Sequence, residues 1–279
     1  MYLLLFPVLL LLVYLFFLLP SRPDGAQKAP FWGRYCAHRG YYQEDQSVPE
    51  NSLPAFQRAV QAGYGIELDV QLTQDGQVVV FHDDSLLRLC QVDKLVGDCT
   101  LDELSQYPLA KTQETIPLFS QVLTLVDGKV PLIVELKHGK NWPLLCQKVC
   151  GLLDDYSGDF CVESFDPQIV TWFRRNRPRY MRGQLCENYR KDPNCAFSLS
   201  VKLAGSYLLS NLLARPHFVA YHYPDRGNLS FRLCRALGAF AVAWTVRPVD
   251  CHSHPEKHFD CIIFEHFDPS VTYSPRKTR

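Results

Sequence analysis

The chain has 279 residues, 47% of them hydrophobic and 13% aromatic, with 29 basic and 29 acidic side chains that cancel. The zero balance argues against a nucleic-acid binder, which needs a basic surplus to track phosphates, and this much charged and aromatic content excludes a mostly disordered chain. Setting aside about thirty N-terminal residues leaves roughly 250, the usual size of one (β/α)8 barrel.

Met1 to Ser21 carry no charge and include ten leucines; the first ionic side chain is Arg22. Tyr2 to Leu19 is an unbroken apolar run of 18 residues, close to the ~20 that cross a bilayer. No Lys or Arg precedes it, and Leu19-Pro20-Ser21-Arg22 is a poor cleavage site. Residues 1–20 therefore read as an uncleaved, single-pass transmembrane helix rather than a signal peptide. Arg22, Lys28 and Arg34 follow the run, which by the positive-inside rule puts the rest of the chain in the cytoplasm. A Pro/Gly-rich tether, residues 21–33, leads into a single domain, residues 34–279. The cysteines number eleven. Cys36, Cys161, Cys234 and Cys261 sit in apolar runs and read as buried free thiols, which favours a reducing compartment. A Cys90–Cys99 bridge across a loop is the lesser alternative.

Past the tether, short apolar runs alternate with amphipathic stretches. The strand expectations are Tyr35–His38, Ile66–Val70, Val78–Phe81, Leu132–Leu136, Phe160–Glu163, Arg182–Leu185, Phe218–Tyr221, Ala241–Val246 and Cys261–Phe264. The helix expectations are Leu53–Ala62, Leu101–Gln106, Pro117–Val126, Trp142–Tyr156, Pro167–Asn176, Leu199–Leu213 and Leu229–Leu237, with a weak one near His254. Strands separated by helices of this size predict parallel βαβ units and an α/β fold. Nine strands are one too many for a TIM barrel. The Asp75-Gly76 pair between Val70 and Val78 signals a tight hairpin, so Val78–Phe81 is expected to fold back antiparallel as an insertion after the second strand. Counting register around that turn sets His82 opposite Glu67.

Ionisable residues end four of the apolar strands, in Ala37-His38-Arg39-Gly40, Glu67-Leu68-Asp69, Phe81-His82-Asp83 and Glu135-Leu136-Lys137. Alternation puts Glu67 and Asp69 on one strand face, and likewise Glu135 and Lys137. Each has a plain reading: a solvated strand face, a satisfied core histidine, a Lys137–Glu135 pair. Together, three inward carboxylates, two histidines and two cations are costly to bury without a ligand. Carboxylates without thiolates suit a hard divalent cation, Ca2+ or Mg2+. His38 and His82 then serve as an acid/base pair, and Arg39 and Lys137 as phosphate contacts. Metal, acid/base pair and phosphate clamp together point to phosphodiester hydrolysis.

These motifs, in order with Pro49-Glu50-Asn51-Ser52, Thr73-x-Asp75-Gly76, Ser164-Phe165 and Trp244-Thr245-Val246, resemble the glycerophosphodiester phosphodiesterase family, in particular its single-domain, bacterial-type members. The likeness runs from Tyr35 to Pro269. It implies a metal-dependent barrel that cleaves glycerophosphodiesters to glycerol 3-phosphate and an alcohol, with Glu67, Asp69 and Glu135 on the cation and His38 and His82 moving protons. It also implies that the substrate glycerol's own hydroxyl attacks first, giving a cyclic phosphate that water opens. Trp244 would shape the glycerol pocket, or pack the barrel rim. Asn51 would orient a group of the site, counted here with the substrate-binding residues, or cap the following helix. The last strand departs from the pattern: Ile263-Phe264-Glu265-His266 stands where many relatives show Thr-Asp, although Pro269 is kept. Tyr189 to Phe197 form an irregular loop with no role read for it.

Two further clusters read as surface. Asp250, Cys251, His252, His254 and His258 could bind a transition metal but lie far from the strand-end carboxylates. Arg174-Arg175-x-Arg177 and the tail Arg276-Lys277-x-Arg279 are short basic runs. Two rival functions remain: lysophospholipase D-type cleavage of lysophospholipids, which a membrane anchor would favour, and a catalytically silent lipid-headgroup or metal-binding module.

Overall fold

The computed structural model describes residues 2–193 and 195–275; the basic run Arg276, Lys277 and Arg279 lies outside them. The strands are β1 (Arg34–Ala37), β2 (Gly65–Leu72), β3 (Val78–Val80), β4 (Leu132–Leu136), β5 (Phe160–Ser164), β6 (Arg182–Cys186), β7 (Phe218–His222), β8 (Phe240–Val246) and β9 (Cys261–Phe264). The helices are α1 (Tyr2–Leu18), α2 (Gly25–Lys28), α3 (Leu53–Ala62), α4 (Leu87–Cys90), α5 (Leu101–Leu104), α6 (Phe119–Val126), α7 (Trp142–Leu153), α8 (Pro167–Asn176), α9 (Leu199–Ser206), α10 (Asn211–Ala214) and α11 (Leu229–Ala236).

Eight strands run parallel in the order β1-β9-β8-β7-β6-β5-β4-β2, and pairing of β1 with β2 closes the barrel. β3 is the ninth strand, antiparallel on β2. It folds back at the predicted turn, where Gly76 takes φ 75° and Thr73 Oγ1 bonds the Asp75 carboxylate at 2.5 Å. The register differs by one from the expected one. Val80 pairs with Val70, and Phe81 N–H donates to the Asp69 carbonyl at 3.0 Å, so His82 falls past the strand and not opposite Glu67.

Inside the barrel Cys36, Ile133, Leu185, Phe218, Ala220, Val242 and Ile263 pack as one cluster. Gly183 on β6 makes room there: a Cβ at that position would meet the Phe218 ring at 2.0 Å. Gly183→Ala is expected to cost about 1–3 kcal/mol through overpacking, read as a lower urea midpoint at unchanged slope. The expected helix Leu199–Leu213 is broken into α9 and α10 at Leu208, which takes φ 56°, and α4 was not foreseen. The region near His254 forms two 3-10 turns. All eleven cysteines are free, so Cys90 and Cys99 do not form a bridge.

The N-terminal segment departs most from expectation. Its apolar run forms α1, of 17 residues, and among the described residues no helix is long and apolar enough to cross a membrane. The expected spanning anchor therefore finds no support. The end of α1 docks on the barrel instead: Leu18 is fully buried, and Arg215 donates to the carbonyls of Phe16 and Leu19 at 2.7 and 2.8 Å. Residues 21–33 are no free tether either. Ser21 N–H bonds the Pro216 carbonyl, Asp24 and Gln27 cap α2 reciprocally, and Phe31 is buried in the barrel-interior cluster.

His217, beside the start of β7, is buried and accepts from Arg182 N–H and Nη1 at 3.3 Å. Burial, helped by the Arg182 charge, pushes its pKa down to about 4. Between pH 4 and the ordinary value near 6.5 the unfolded chain therefore binds more protons than the folded one. Stability is expected to fall by up to about 3 kcal/mol as pH drops through that window. In chemical denaturation at pH 7 and pH 4.5, His217→Gln should lose that part of the slope.

Candidate active site

The site lies at the C-terminal ends of the parallel strands, the end where barrel chemistry is carried. Glu67, Asp69 and Glu135 are 3%, 1% and 6% exposed, and each offers an oxygen within 4.8 Å of the others. Register explains the convergence: Asp69 pairs with Glu135 across β2 and β4, and Glu135 with Glu163 across β4 and β5. Among the described residues this is the one acidic or His/Cys trio close enough to share an ion; the histidines of 250–258 do not converge.

Lys137 Nζ bridges Asp69 and Glu135 at 2.7 Å to each. Arg39, which takes φ 53° just after β1, donates its backbone N–H to Glu67 at 2.9 Å and Nη1 to Glu50 at 2.7 Å. Its Nε lies 3.7 Å from Asp69 and has no hydrogen-bond partner. Burial pushes the Glu67 carboxyl well up, reinforced by Asp69, Glu135 and Glu163, and pushes Glu135 up as well. Asp69 goes the other way: burial opposes ionisation, but Lys137, His82 and Arg39 outweigh it and hold the group well below the usual range. Burial likewise raises Glu163, whose Oε2 is unpartnered.

His38 follows β1, and its Nδ1 meets Glu265 at 2.6 Å. A carboxylate only accepts, so Nδ1 carries the proton and Nε2 is left facing Glu67 at 3.9 Å. Burial lowers the His38 pKa, keeping the ring neutral at pH 7. Glu265 is also held by Arg247 at 2.6 Å and Tyr42 at 3.1 Å, and although burial acts against it, His38 and Arg247 keep it strongly acidic. His82, a third exposed, sets Nδ1 against Asp83 at 2.6 Å. Arg88 ties Asp83 to Glu50, and Glu50 ties back to Arg39. One chain of charges thus links the two histidines' surroundings.

The two remaining expected residues are placed differently. Asn51 is 1% exposed, and its Nδ2 donates to Asp69 at 2.8 Å. It orients a carboxylate of the trio, one of the two roles expected for it, while the helix cap of α3 falls to Ser52. Trp244 Nε1 donates to the Ala220 carbonyl at 3.0 Å, with Phe165 edge-on at 5.3 Å and His222 at 5.1 Å, forming an aromatic wall at the rim. An open cleft beside the trio is lined by His82, Glu135, Lys137, Phe165 and Asp166. Glu265, Glu163, Asp83 and Arg88 escaped the sequence reading as site residues. Glu265 was detectable as an acid ending an apolar strand, like Glu135.

Residues 38–268 match the profile of the glycerophosphoryl diester phosphodiesterase family. The chain belongs to that family. A glycerophosphodiester phosphodiesterase of Caldanaerobacter subterraneus subsp. tengcongensis is 36% identical over 160 residues, 53% of this chain and 65% of that protein. A lysophospholipase D of Rattus norvegicus is 33% identical over 150 residues, 49% of this chain and 46% of that protein. Each alignment thus spans less than two thirds of the relative. In fold the chain is similar to a phosphodiesterase of Oleispira antarctica solved with the product sn-glycerol-3-phosphate: TM-score 0.65, 21% identity, 84% of this chain and 93% of that one.

Glu265→Gln keeps an acceptor but removes the charge that raises the His38 pKa. Turnover is expected to fall about 10- to 100-fold, and the acid limb of the kcat/KM profile to move to lower pH, since a less basic His38 deprotonates earlier.

Proposed function

We propose that this protein hydrolyses glycerophosphodiesters to glycerol 3-phosphate and an alcohol, with a divalent cation held by Glu67, Asp69 and Glu135 and with His38 and His82 moving the protons. The observation that carries the reading is the convergence of three buried carboxylates between two carboxylate-anchored histidines. Family membership and the product complex of the similar Oleispira enzyme support it.

The donor set fits the cation. All three groups offer oxygen, the preference of Ca2+ and Mg2+, and a cation would offset the burial and mutual repulsion that push Glu67 and Glu135 up. A cation bound there supplies charge to the phosphoryl oxygens. The chain's own residues do the rest. Arg39, with its orphaned Nε, and Lys137 bind and orient the phosphate. His38, neutral and fixed by Glu265, takes the proton of the attacking hydroxyl at Nε2. His82, held by Asp83, returns a proton to the leaving alcohol oxygen. Trp244 and Phe165 shield the glycerol side from water.

Lysophospholipids are a second substrate class, favoured by the similarity to the rat lysophospholipase D and by the exposed apolar α1. Side-by-side turnover of glycerophosphocholine and lysophosphatidylcholine, with and without the first thirty residues, separates the two. Product from neither would favour the silent binding module. We further place the barrel on the cytoplasmic side, a reading supported by its eleven free thiols; protease protection in intact cells tests this.

A further inference from the structure

We infer that this protein docks on a phospholipid surface through α1 and the segment after β6, with the mouth of the barrel turned toward the lipid. The placement of α1 carries the argument. α11 begins at the mouth, because it follows the C-terminal end of β7, and α1 runs beside it in the same direction. Tyr14 Oη meets Ser230 Oγ at 2.6 Å, Cys234 Sγ donates to the Leu18 carbonyl at 3.5 Å, and Arg22 donates to the Leu237 carbonyl at 3.4 Å. Tyr14 is therefore level with the mouth, and the helix from Tyr2 to Val13 projects beyond it by about 18 Å at 1.5 Å per residue.

That projecting stretch has no polar side. Val8 to Val13 are six consecutive apolar residues, 44–58% exposed, and Phe6 is 65% exposed. A protein groove would cover one face of such a helix and leave the other in water; acyl chains cover all of it. Its reach is well short of the ~30 Å hydrocarbon core, and matches the depth of about one leaflet.

A second set of observations lies at the same end. Phe197, Leu199 and Leu229 are 55%, 69% and 64% exposed, all on segments that leave strands at the mouth. The segments after β6 and β7, residues 187–207 and 222–232, hold five basic side chains against three acidic, in a chain whose total is zero, and this surplus complements anionic headgroups. Tyr207, its hydroxyl bonded to Arg190 at 2.8 Å, sits where interfacial tyrosines sit.

Docking extends the hydrolytic reading, since a lipid-derived diester would meet the site at its mouth, but its test reads binding and not turnover, so the two fail separately. The full chain is floated with phosphatidylcholine vesicles, with and without an anionic phospholipid. It should bind both, more tightly when anionic lipid is present at low salt. Leu10→Lys with Leu12→Lys, and separately Phe197→Asp with Leu199→Asp, should each weaken vesicle binding at least about tenfold, with unchanged thermal unfolding and unchanged turnover of a soluble diester. No flotation of the wild type overturns the proposal. So does a loop pair that binds like wild type, which would mean that the mouth does not face the lipid. A wild-type dimer that Leu10→Lys dissociates, without vesicle binding, would assign α1 to a second copy and equally overturn it.

Discussion

Replacing His38 with alanine is expected to lower kcat/KM for glycerophosphocholine by about 10²- to 10⁴-fold, the usual worth of a positioned proton carrier. The size follows from geometry. Burial keeps the ring neutral, Glu265 fixes Nδ1 as the protonated nitrogen at 2.6 Å, and Nε2 is the one basic nitrogen so held beside the carboxylate trio. Glu265 keeps Arg247 and Tyr42 as partners after the substitution, so the fold should survive with little change in thermal unfolding. His82→Ala should show a similar loss, and the double variant much less than the product of the two, as residues acting in one step do. Retained turnover in both single variants would sink the proton-transfer scheme.

The second large effect is on the cation. Glu67→Gln is nearly isosteric with the protonated carboxyl that burial favours in the absence of positive charge, and glutamine still accepts from Arg39 N–H. Folding should therefore be unaffected while Ca2+ or Mg2+ affinity falls at least about 100-fold, with turnover falling alongside. Because the raised Glu67 carboxyl must release its proton when a cation binds, wild-type affinity should rise with pH, and the variant should lose most of that dependence. Isothermal titration at pH 6 and pH 8 reads both. Equal affinity in wild type and variant would remove Glu67 from the ligand set.

Much of this was legible because the period-2 pattern of a strand fixes which side chains share a face. Glu67 with Asp69 and Glu135 with Lys137 could be assigned to the interior from alternation alone, and the Asp75-Gly76 pair identified the one antiparallel strand. The hairpin register was off by one because a Thr-Gln-Asp-Gly-Gln turn adds a residue that alternation does not count. Asn51 was harder to assign because a residue before a helix is a cap or a site group depending on a 2.8 Å contact that sequence does not show. Glu265 ends an apolar strand as Glu135 does, but its role rests on the 2.6 Å contact with His38, which sequence does not show. The docking of α1 depends on tertiary partners, Ser230 and Arg215, some two hundred residues away, and composition alone suggested a spanning helix.

The most direct test of the account is release of glycerol 3-phosphate from a small panel of glycerophosphodiesters by the full chain, before chelation, after chelation, and after Ca2+ or Mg2+ is added back. The account predicts product in the first and third cases and none in the second. Undiminished turnover by fully chelated enzyme, or no product from any diester with either cation present, would contradict it.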